Sequence, residues 1–406
     1  MPSRKILCYL VLLLFMAGCA AKIEKPLEKP VEKPKPPLEL LSSEEMPSLT
    51  DDLHWESIEG AIAKSIRYYE AVMENITYRL GHDRVSAREM KESLLLFQEI
   101  IGSDDSDEVK QRKLKDTFNV YRATGSDGKG SVLFTGYFEP VMNGSLEKTE
   151  EYRHPIYRTP DDTVLVNLGK FGNKYKHDKI IGRLKNRELI PYFTRREIED
   201  KQALKGKNLE LVWVNDAIDL FFMHIQGSGK VRLPDGRLMQ VSYDQWNGRP
   251  YRSIARYLLD RGKLSAQETT HQTLKKYLRE HPEDLSSILN YNESYVFFRV
   301  VEDGPVGALG LSLTAERSIA TDLDVFPKGA LAFIKLRKPV FDENGNIKTW
   351  ESFSRFVVNQ DTGGVIKGPG RVDLFCGTGD DAEMMAGSLK EKGELYFLVK
   401  KKTDRK

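Results

Sequence analysis

The feature that most constrains the fold of this chain is a glycine-rich stretch near its C-terminal end, from Asp361 to Gly379. Six of its 19 residues are glycine, and Asp361 and Asp373 lie twelve positions apart within it. Apolar runs with strand character occur at 356–358 and 372–375. Glycine lets a backbone approach a ligand or another strand closely, at a cost in chain entropy. The stretch therefore indicates a site beside two strands, although aspartate next to glycine is also ordinary turn chemistry.

Length and composition indicate a globular protein of about two domains. The chain has 406 residues, of which 40% are hydrophobic and 30% are charged. Lysine and arginine number 62 against 60 aspartate and glutamate, and without residues 1–18 the two counts are equal at 60. A neutral mature chain has no electrostatic basis for binding nucleic acid, so we expect no nucleic-acid partner.

Residues 1–18 have the parts of a secretory signal peptide: a basic start, a short apolar run and small residues before the cut. The apolar run is too short to span a bilayer, which takes about 20 residues. Met16-Ala17-Gly18-Cys19 resembles a bacterial lipobox, which would make Cys19 the lipidated first residue. Ala20 and Ala21 lack the aspartate that would suggest inner-membrane retention. We therefore expect an outer-membrane lipoprotein facing the periplasm, with plain secretion and a free Cys19 as the alternative.

Composition also predicts the domain organisation. Residues 19–46 are interpreted as a tether, because Glu-Lys-Pro occurs three times and such chain extends at about 3.1 Å per residue as polyproline II. A β-rich segment, 137–245, is interpreted as an insert in a domain formed by 47–136 and 246–406. Residues 47–136 are the first, helical part of that domain. Two domains side by side usually leave a groove between them.

Periodicity, capping boxes and turn residues predict the individual elements. Helices are predicted at 53–73, 87–101, 107–117, 251–261, 265–280 and 381–390, with a short one after Thr194. Their capping boxes are Ser86-x-x-Glu89, Thr194-x-x-Glu197 and Ser265-x-x-Glu268. Strands are predicted at 131–140, 163–168, 209–214, 220–226, 230–233, 238–241, 295–300, 330–336, 355–358, 371–375 and 394–399.

Other motifs give no cofactor or metal site, so none is expected. Gly377-Thr-Gly-Asp-Asp-Ala382 fits a dinucleotide-binding pattern but lacks the surrounding βαβ units. The seven histidines have no metal-ligand spacing. Cys376 is interpreted as a small buried apolar residue, because no base lies near it in the sequence.

Two further features suit a polar ligand. Gln226-Gly-Ser-Gly229 is interpreted as a loop that binds such a ligand, with a plain turn as the alternative. Aromatic and polar side chains in the β-rich part suit a carbohydrate groove, although any single one is more often core. They are Tyr137, Phe138, Glu139, Tyr152, Tyr157, Trp213, Tyr243 and Trp246.

Together these stretches resemble the MltA family of membrane-bound lytic murein transglycosylases. The matching stretches are Gly136-Tyr-Phe-Glu-Pro140, His154-Pro-Ile-Tyr-Arg158, Phe222-Met-His-Ile-Gln-Gly-Ser-Gly229, Asn247-Gly-Arg-Pro-Tyr-Arg-Ser-Ile254, Tyr295-Val-Phe-Phe298 and Asp361-Thr-Gly-Gly-Val-Ile-Lys-Gly368. They run in family order from about residue 130 onward. The last stretch resembles the 3D domain, named for three aspartates, here Asp322, Asp361 and Asp373.

The resemblance implies a mainly β fold with helices. Its catalytic domain would be a double-psi β-barrel split in sequence, with an inserted all-β domain and a substrate groove between the two. It also implies cleavage of the β-1,4 bond between N-acetylmuramic acid and N-acetylglucosamine in peptidoglycan. In that reaction the muramoyl O6 attacks C1 of its own sugar and leaves a 1,6-anhydro product. The implied partners are peptidoglycan glycan strands, the outer membrane through a lipid on Cys19, and cell-wall synthesis or hydrolysis proteins.

The resemblance places a single catalytic acid at Asp373. Glycosidases normally use two carboxylates, but one can serve twice when the substrate's own hydroxyl is the nucleophile. Asp373 has to stay protonated near neutral pH, and its apolar neighbours 372, 374 and 375 are expected to raise its pKa. Asp361 is interpreted as an ionised partner that raises that pKa or supports the oxocarbenium-like charge.

The same resemblance assigns substrate binding to residues of the insert and of the loops beside the aspartates. They are Tyr137, Gln226, Gly227, Ser228, Gly229, Asp322 and Lys367. For Asp322 a plain loop role is the alternative. Two other functions stay open from the sequence: a non-catalytic wall-binding protein, and a hydrolytic muramidase in which Asp361 activates water.

Overall fold

The structure, a computed structural model, describes residues 35–176, 178–265 and 270–402. The predicted signal peptide, Cys19, most of the predicted tether and Glu268 of one predicted capping box lie outside these ranges. Pro36–Lys406 form one compact unit. In the part of the chain that the structure describes, each helix is too short or too polar to cross a membrane.

Helices occur in all parts of this unit. They are α1 (Ile58–Ala71), α2 (Ala87–Ile101), α3 (Asp107–Thr117), α4 (Arg195–Glu199), α5 (Ala217–Gln226), α6 (Ile254–Asp260), α7 (His271–Glu280), α8 (Leu285–Leu289) and α9 (Asp380–Ser388). The predicted bounds of α2 and α3 are confirmed, and the capping boxes predicted at Ser86 and Thr194 are both formed.

The strands contain more residues than the helices. They are β1 (Leu38–Leu40), β2 (Thr77–Leu80), β3 (Asp83–Ser86), β4 (Phe118–Ala123), β5 (Val132–Glu139), β6 (Val141–Ser145), β7 (His154–Tyr157), β8 (Thr163–Asn167), β9 (Lys179–Lys185), β10 (Glu188–Pro191), β11 (Glu210–Val214), β12 (Ser228–Arg232), β13 (Leu238–Trp246), β14 (Val296–Val301), β15 (Ser318–Ala320), β16 (Leu331–Phe341), β17 (Ile347–Asp361), β18 (Arg371–Thr378) and β19 (Lys390–Lys400).

Six strands close a barrel. Their order is β19-β16-β17-β15-β18-β5, and β5 pairs back onto β19. Two neighbouring pairs are parallel, β15 with β17 and β18 with β5, and the other pairs are antiparallel. Since β5 precedes the insert and the other five strands follow it, the predicted barrel split in sequence is confirmed.

The insert consists of two sheets. The larger has the order β14-β13-β12-β6-β11-β7, and the smaller has the order β10-β9-β8. β14 lies beyond the predicted insert boundary at 245, yet it pairs with β13. At the N-terminal side, β1 pairs with β4 although it lies within the predicted tether 19–46. The predicted domain boundaries stay predictions.

The prediction of a strand at 220–226 is wrong, because this segment belongs to helix α5. The Asp216 side chain caps the helix by accepting hydrogen bonds from the backbone N–H groups of Ile218 (2.7 Å) and Asp219 (3.1 Å). Gly227, at φ 82°, ends it in the left-handed conformation that glycine tolerates best. Residues 220–224 are buried on every side, so their apolar run has no helical periodicity to distinguish it from a buried strand.

Two ion pairs, one fully buried and one with a half-buried carboxylate, connect the N-terminal segment to the barrel. Arg317 donates to both carboxylate oxygens of Asp51, at 2.6 and 2.8 Å, and both side chains are fully buried. Arg355 of β17 donates to both oxygens of Asp52, at 2.9 and 2.7 Å. Because Arg317 immediately precedes β15 and Arg355 lies on β17, these pairs help to fix β17, which ends at Asp361, and its neighbour β15.

Candidate active site

Asp373 on β18 pairs with Thr135 on the neighbouring strand β5. Parallel pairing of β18 with β5 sets the two residues opposite each other, and the Thr135 hydroxyl donates a hydrogen bond to Asp373 Oδ1. Arg371, two residues before Asp373, lies on the same face of β18. Its Nε is 3.6 Å from Asp373 Oδ1, and its Nη2 donates to the Thr135 hydroxyl at 3.3 Å. Thr135, Arg371 and Asp373 therefore form one polar cluster.

Burial is the dominant influence on Asp373, whose side chain is 16% exposed. Removal from water raises the pKa of this carboxyl, because the charged form loses more hydration than the neutral form. The Thr135 hydrogen bond and the Arg371 charge act in the opposite direction, but the pKa of Asp373 remains raised. The site therefore favours a protonated Asp373 more than water does.

Asp361 is the last residue of β17, and two donors form hydrogen bonds to its carboxylate oxygens. Tyr137 donates its phenolic hydrogen to Asp361 Oδ2 at 2.8 Å, and the backbone N–H of Ala308 donates to Oδ1 at 2.9 Å. Burial, with a smaller contribution from the Asp373 charge, raises the pKa of Asp361 to about 6 against the lowering effect of hydrogen bonds that include these two. At neutral pH Asp361 is therefore mostly ionised.

The strand register explains why the two aspartates face one site. Ala320 of β15 pairs with Asp361 on one side and with Asp373 on the other. Tyr137 pairs with Phe375, and their ring centroids are 5.3 Å apart. Residues two apart on a strand share a face. Asp373 with Phe375 on β18 and Thr135 with Tyr137 on β5 accordingly make one continuous wall.

One expectation about the environment of Asp373 needs correction. Val372 and Leu374 are buried in the main core. Side chains alternate along a strand, so these two point away from the face that carries Asp373. Of the three apolar neighbours in sequence, only Phe375 lies on the face of Asp373. Burial raises the pKa of Asp373, and of these three neighbours only Phe375 is on the face where it can contribute to that burial.

Asp322 acts on the adjoining loop. Its side chain accepts hydrogen bonds from the backbone N–H groups of Gly368 (2.8 Å) and Asp324 (3.2 Å). Asp322 is buried, and the loop it holds is the one that joins Asp361 to Asp373. Lys367, next to Gly368, is exposed to solvent. The predicted substrate-binding roles of Asp322 and Lys367 stay predictions, and the contacts of Asp322 describe a loop anchor.

The Gln226–Gly229 stretch joins α5 to β12 beside the barrel. Gln226 Oε1 accepts a hydrogen bond from the backbone N–H of Phe138, the residue after Tyr137, at 3.2 Å. Gly227 accepts at its carbonyl from Tyr243 N–H at 2.7 Å. A Cβ atom at Gly229 would lie 2.6 Å from the sulfur of Met223, so this close packing requires glycine. The stretch thus lies against the strand that carries Thr135 and Tyr137.

Glu139 is a fully buried carboxylate that the sequence placed only in a general polar cluster. It accepts hydrogen bonds from Gln240 and, at 2.9 Å, from the Thr378 hydroxyl. The Nζ atom of Lys230 lies 3.4 Å from Glu139 Oε2. Thr378 belongs to the barrel, whereas Gln240 and Lys230 belong to the insert. Glu139 therefore holds the two parts together where β5 leaves the barrel.

Several remaining interpretations are settled by burial. Cys376 is buried against Phe138 and two alanines, and burial raises the pKa of its thiol, so the apolar interpretation is confirmed. Phe138 and Tyr157 are core residues, whereas Tyr243 is 40% exposed. Within residues 35–176, 178–265 and 270–402, no group of three or more His, Cys, Asp or Glu side chains is placed to hold a metal ion.

Comparison with known proteins identifies two family models in the chain. The MltA specific insert domain matches residues 133–299, and the 3D domain matches residues 317–399. Membrane-bound lytic murein transglycosylase A of Escherichia coli K12 is 30% identical over 283 residues, which is 69% of each chain. The protein of the same name from Vibrio cholerae is 30% identical over 279 residues, 68% of this chain and 67% of that one.

Solved structures give the same result for the fold. MltA from Neisseria gonorrhoeae is 32% identical, with a TM-score of 0.69 over 90% of this chain and 93% of that one. The membrane-bound lytic murein transglycosylase from Agrobacterium tumefaciens is 27% identical, with a TM-score of 0.73 over 89% and 97%. E. coli MltA with bound chitohexaose, 24% identical, shares the fold with a TM-score of 0.67 over 90% and 95%.

Proposed function

Because this chain belongs to the MltA family of membrane-bound lytic murein transglycosylases, we propose that it cleaves peptidoglycan glycan strands without consuming water. The bond cut is the β-1,4 bond between N-acetylmuramic acid and N-acetylglucosamine, and the product ends in 1,6-anhydro-N-acetylmuramic acid. The observation that carries the proposal is the partly buried Asp373, whose pKa is raised while a hydroxyl donor holds its carboxyl in place.

Asp373 acts first as the general acid. Its proton goes to the glycosidic oxygen, which leaves with the N-acetylglucosamine residue as C1 of the muramoyl sugar becomes positive. A carboxyl has to be protonated for this step, and burial of Asp373 favours that form. Thr135 restricts the carboxyl to one orientation, which lowers the cost of reaching the transition state.

The same carboxyl then acts as the base. The O6 hydroxyl of the muramoyl sugar forms a bond to C1 and gives its proton to Asp373, which returns to its starting state. One C–O bond has broken and one has formed, and the proton lost to the leaving sugar has been replaced. Because O6 is supplied by the substrate, no second carboxylate is needed to activate water.

Asp361 supports the charge that develops at C1. With a pKa of about 6 it is mostly ionised at neutral pH, and its two donors keep it in place. A fixed anion that is already oriented needs little rearrangement as positive charge develops, which is the efficient form of electrostatic stabilisation. We assign glycan binding to Tyr137 and to the Gln226–Gly229 stretch, with the acetamido and hydroxyl groups as their targets.

We also propose that lipid on Cys19 anchors the protein in the outer membrane, facing the periplasm. Support comes from the lipobox-like Met16–Cys19 and from curated relatives whose names describe them as membrane-bound. Cells grown with a radiolabelled fatty acid should label the wild-type protein and not Cys19→Ser. Label retained by Cys19→Ser would reject the anchor.

The reaction is tested on purified murein sacculi with a soluble form lacking residues 1–19. Mass spectrometry should find muropeptides one water lighter than hydrolytic products. Asp373→Asn should lower the cleavage rate by roughly 10²- to 10⁴-fold, as loss of a general acid does. Asp324→Asn, on a nearby loop, is the matched control and should cleave at the wild-type rate. Binding of sacculi without release of muropeptides by the wild-type protein would indicate a wall-binding protein instead.

A further inference from the structure

The smaller sheet of the insert, β8–β10, has one face that packs against the protein around Ile181, whereas Leu165, which pairs with Ile181, is 49% exposed. On this face Ile181 is buried, and its carbonyl lies so close to Gly248 that a Cβ there would be 2.7 Å from it. Arg183, on the same face, stacks its guanidinium on Phe193 at 4.1 Å. These contacts fix the sheet to the rest of the insert and determine which side faces outward.

The opposite face is apolar and partly exposed to solvent, since Val164, Val166 and Leu189 are half-buried and Ile180 and Leu184 are exposed. Strand pairing places Val166 beside Ile180 and Leu184 beside Leu189, and Val164 lies on the same face as these four. None of the five belongs to a hydrophobic core cluster of the described chain. Ile180 is 44% exposed and Leu184 is 65% exposed. We call Val164, Val166, Ile180, Leu184 and Leu189 the outer face.

The connection from β8 to β9 adds aromatic side chains at one end of this sheet. Phe171 is 77% exposed and Tyr175 is 41% exposed, each beside a short 3₁₀ turn. Lys174 lies over the Tyr175 ring, with its Nζ 5.5 Å from the ring centroid. Phenylalanine and tyrosine at an exposed tip, flanked by lysine, are typical of segments that enter the boundary between headgroups and acyl chains.

Basic residues lie at both ends of the outer face. Residues 163–191 contain seven lysines and arginines and two acidic residues, whereas the whole chain is nearly neutral. Six of these cations are exposed: Lys170, Lys174 and Lys176 in the β8–β9 connection, Arg187 in the β9–β10 turn, and Lys179 and Lys185 of β9, which alternate with Ile180 and Leu184 and point to the other face of the sheet. In the described part of this segment, no ion pair joins any of the six to a carboxylate. Basic side chains without carboxylate partners, next to an apolar face, are complementary to a layer with an anionic surface and an apolar interior.

We propose that the outer face docks on a lipid bilayer that carries anionic headgroups. The aliphatic side chains and Phe171 enter the headgroup boundary, and the lysines of the β8–β9 connection contact the phosphates. A second copy of the chain fits this surface poorly, since it would bring two sets of like charges together. The five residues of the outer face are distinct from those of the aspartate site.

Vesicle co-sedimentation tests the proposal with the soluble form that lacks residues 1–19 and keeps the whole compact unit. We expect binding to vesicles of phosphatidylglycerol and phosphatidylcholine, little binding to phosphatidylcholine alone, and weaker binding at high salt. Ile180→Ser with Leu184→Ser should lower the partition coefficient at least tenfold. Replacing Lys170, Lys174 and Lys176 by glutamine should lower it about 100-fold, since each cation near such a surface contributes about fivefold.

Matched controls keep these outcomes interpretable. Leu238→Ser removes an equally exposed leucine from the β12–β13 hairpin, and Lys348→Gln removes an exposed lysine from β17, so both should bind vesicles like the wild type. All variants should cleave soluble murein fragments at the wild-type rate, which shows that they fold. Equal binding to neutral and anionic vesicles, or binding unaffected by the Ile180 and Leu184 changes, would overturn the proposal. A dimer abolished by Leu184→Ser would also overturn it and assign the outer face to self-association.

Discussion

Tyr137 and Asp361 are joined by a hydrogen bond that passes over two intervening strands. Tyr137 lies on β5 and Asp361 ends β17, while β15 and β18 lie between these strands in the barrel order. The phenolic oxygen is nevertheless 2.8 Å from Asp361 Oδ2. This bond links β5, the barrel strand that precedes the insert, to Asp361 at the end of β17, which follows the insert. The site therefore requires β5 to pair with β18, and β15 to lie between β18 and β17.

Replacing Tyr137 by phenylalanine should change the pH dependence of cleavage. The Tyr137 hydrogen bond favours the charged form of Asp361, so its loss should raise the pKa of that carboxyl above its present value of about 6. If ionised Asp361 is required, the acidic limb of kcat/KM should move to higher pH. At pH 6 the rate should fall roughly tenfold, the scale of one hydrogen bond to a charged group.

The control for that measurement is Tyr291→Phe, which removes a phenolic hydroxyl from the loop after α8. Its profile should overlay that of the wild type. An unchanged acidic limb in Tyr137→Phe would contradict a role for ionised Asp361.

Replacing Thr135 by valine should lower kcat and leave KM nearly unchanged. The hydroxyl orients Asp373 and favours its carboxylate form, so valine removes the orientation and raises the pKa of Asp373 further. Since the acid has to be protonated, the alkaline limb of the pH profile should move to higher pH. We expect kcat at the optimum to fall roughly 10- to 100-fold, as for a misplaced catalytic group.

Thr135→Ser is the matched variant, because it keeps the hydroxyl and removes only a methyl group. It should retain most of the activity and the wild-type alkaline limb. If serine and valine behave alike, the effect is one of packing, and the assigned role of the hydroxyl is wrong.

The Gln226→Glu variant tests whether Gln226 binds the glycan while its structural hydrogen bond with Phe138 is kept. Glutamate keeps an oxygen that can accept from the Phe138 N–H, but it loses the amide N–H donors assigned to the glycan. We expect KM to rise about tenfold with the melting temperature unchanged, the cost of roughly one hydrogen bond. Gln111→Glu is the control, since Gln111 Oε1 accepts from Ser48 in the same manner outside the site. A normal KM in Gln226→Glu would reject the assignment.

Asp51→Asn should destabilise the barrel without touching the site directly. The change leaves the Arg317 guanidinium fully buried and without its counter-charge. Removing one partner of a buried ion pair typically costs about 3–5 kcal/mol in the free energy of unfolding. Urea denaturation of Asp51→Asn and the wild type would measure this loss.

Glu74→Gln provides the comparison, because Glu74 pairs with Arg88 in an exposed position. Exposed pairs contribute at most about 1 kcal/mol. Similar losses in the two variants would show that the Asp51–Arg317 pair does not stabilise the barrel as its burial implies.

Local sequence patterns are sufficient to predict several features of the protein. Helix α2 begins at the capping box of Ser86 and Glu89, a pattern that lies within four residues. Asp361 and Asp373 stand out because glycine surrounds them, and each has a raised pKa in the folded chain. Helix α5 was missed for the converse reason, since burial on all sides removes the periodicity that identifies a helix.

The partners of the two aspartates depend on distant strand pairing. Thr135 lies 238 residues before Asp373, and Tyr137 lies 224 residues before Asp361. Register alone decides whether these side chains meet, because a shift by one residue would turn each to the other face. A short pattern around Thr135 carries no information about a strand that far away. The buried contacts of Glu139 were missed for the same reason.

Cleavage in water enriched in ¹⁸O tests the central claim most directly. If the muramoyl O6 is the nucleophile and Asp373 serves as both acid and base, solvent oxygen is never incorporated. The muropeptides released by the soluble wild-type protein should then carry no ¹⁸O and should weigh one water less than hydrolytic products. Incorporation of one ¹⁸O at the new reducing end would contradict the account and would identify the protein as a hydrolase with water activated by a second carboxylate.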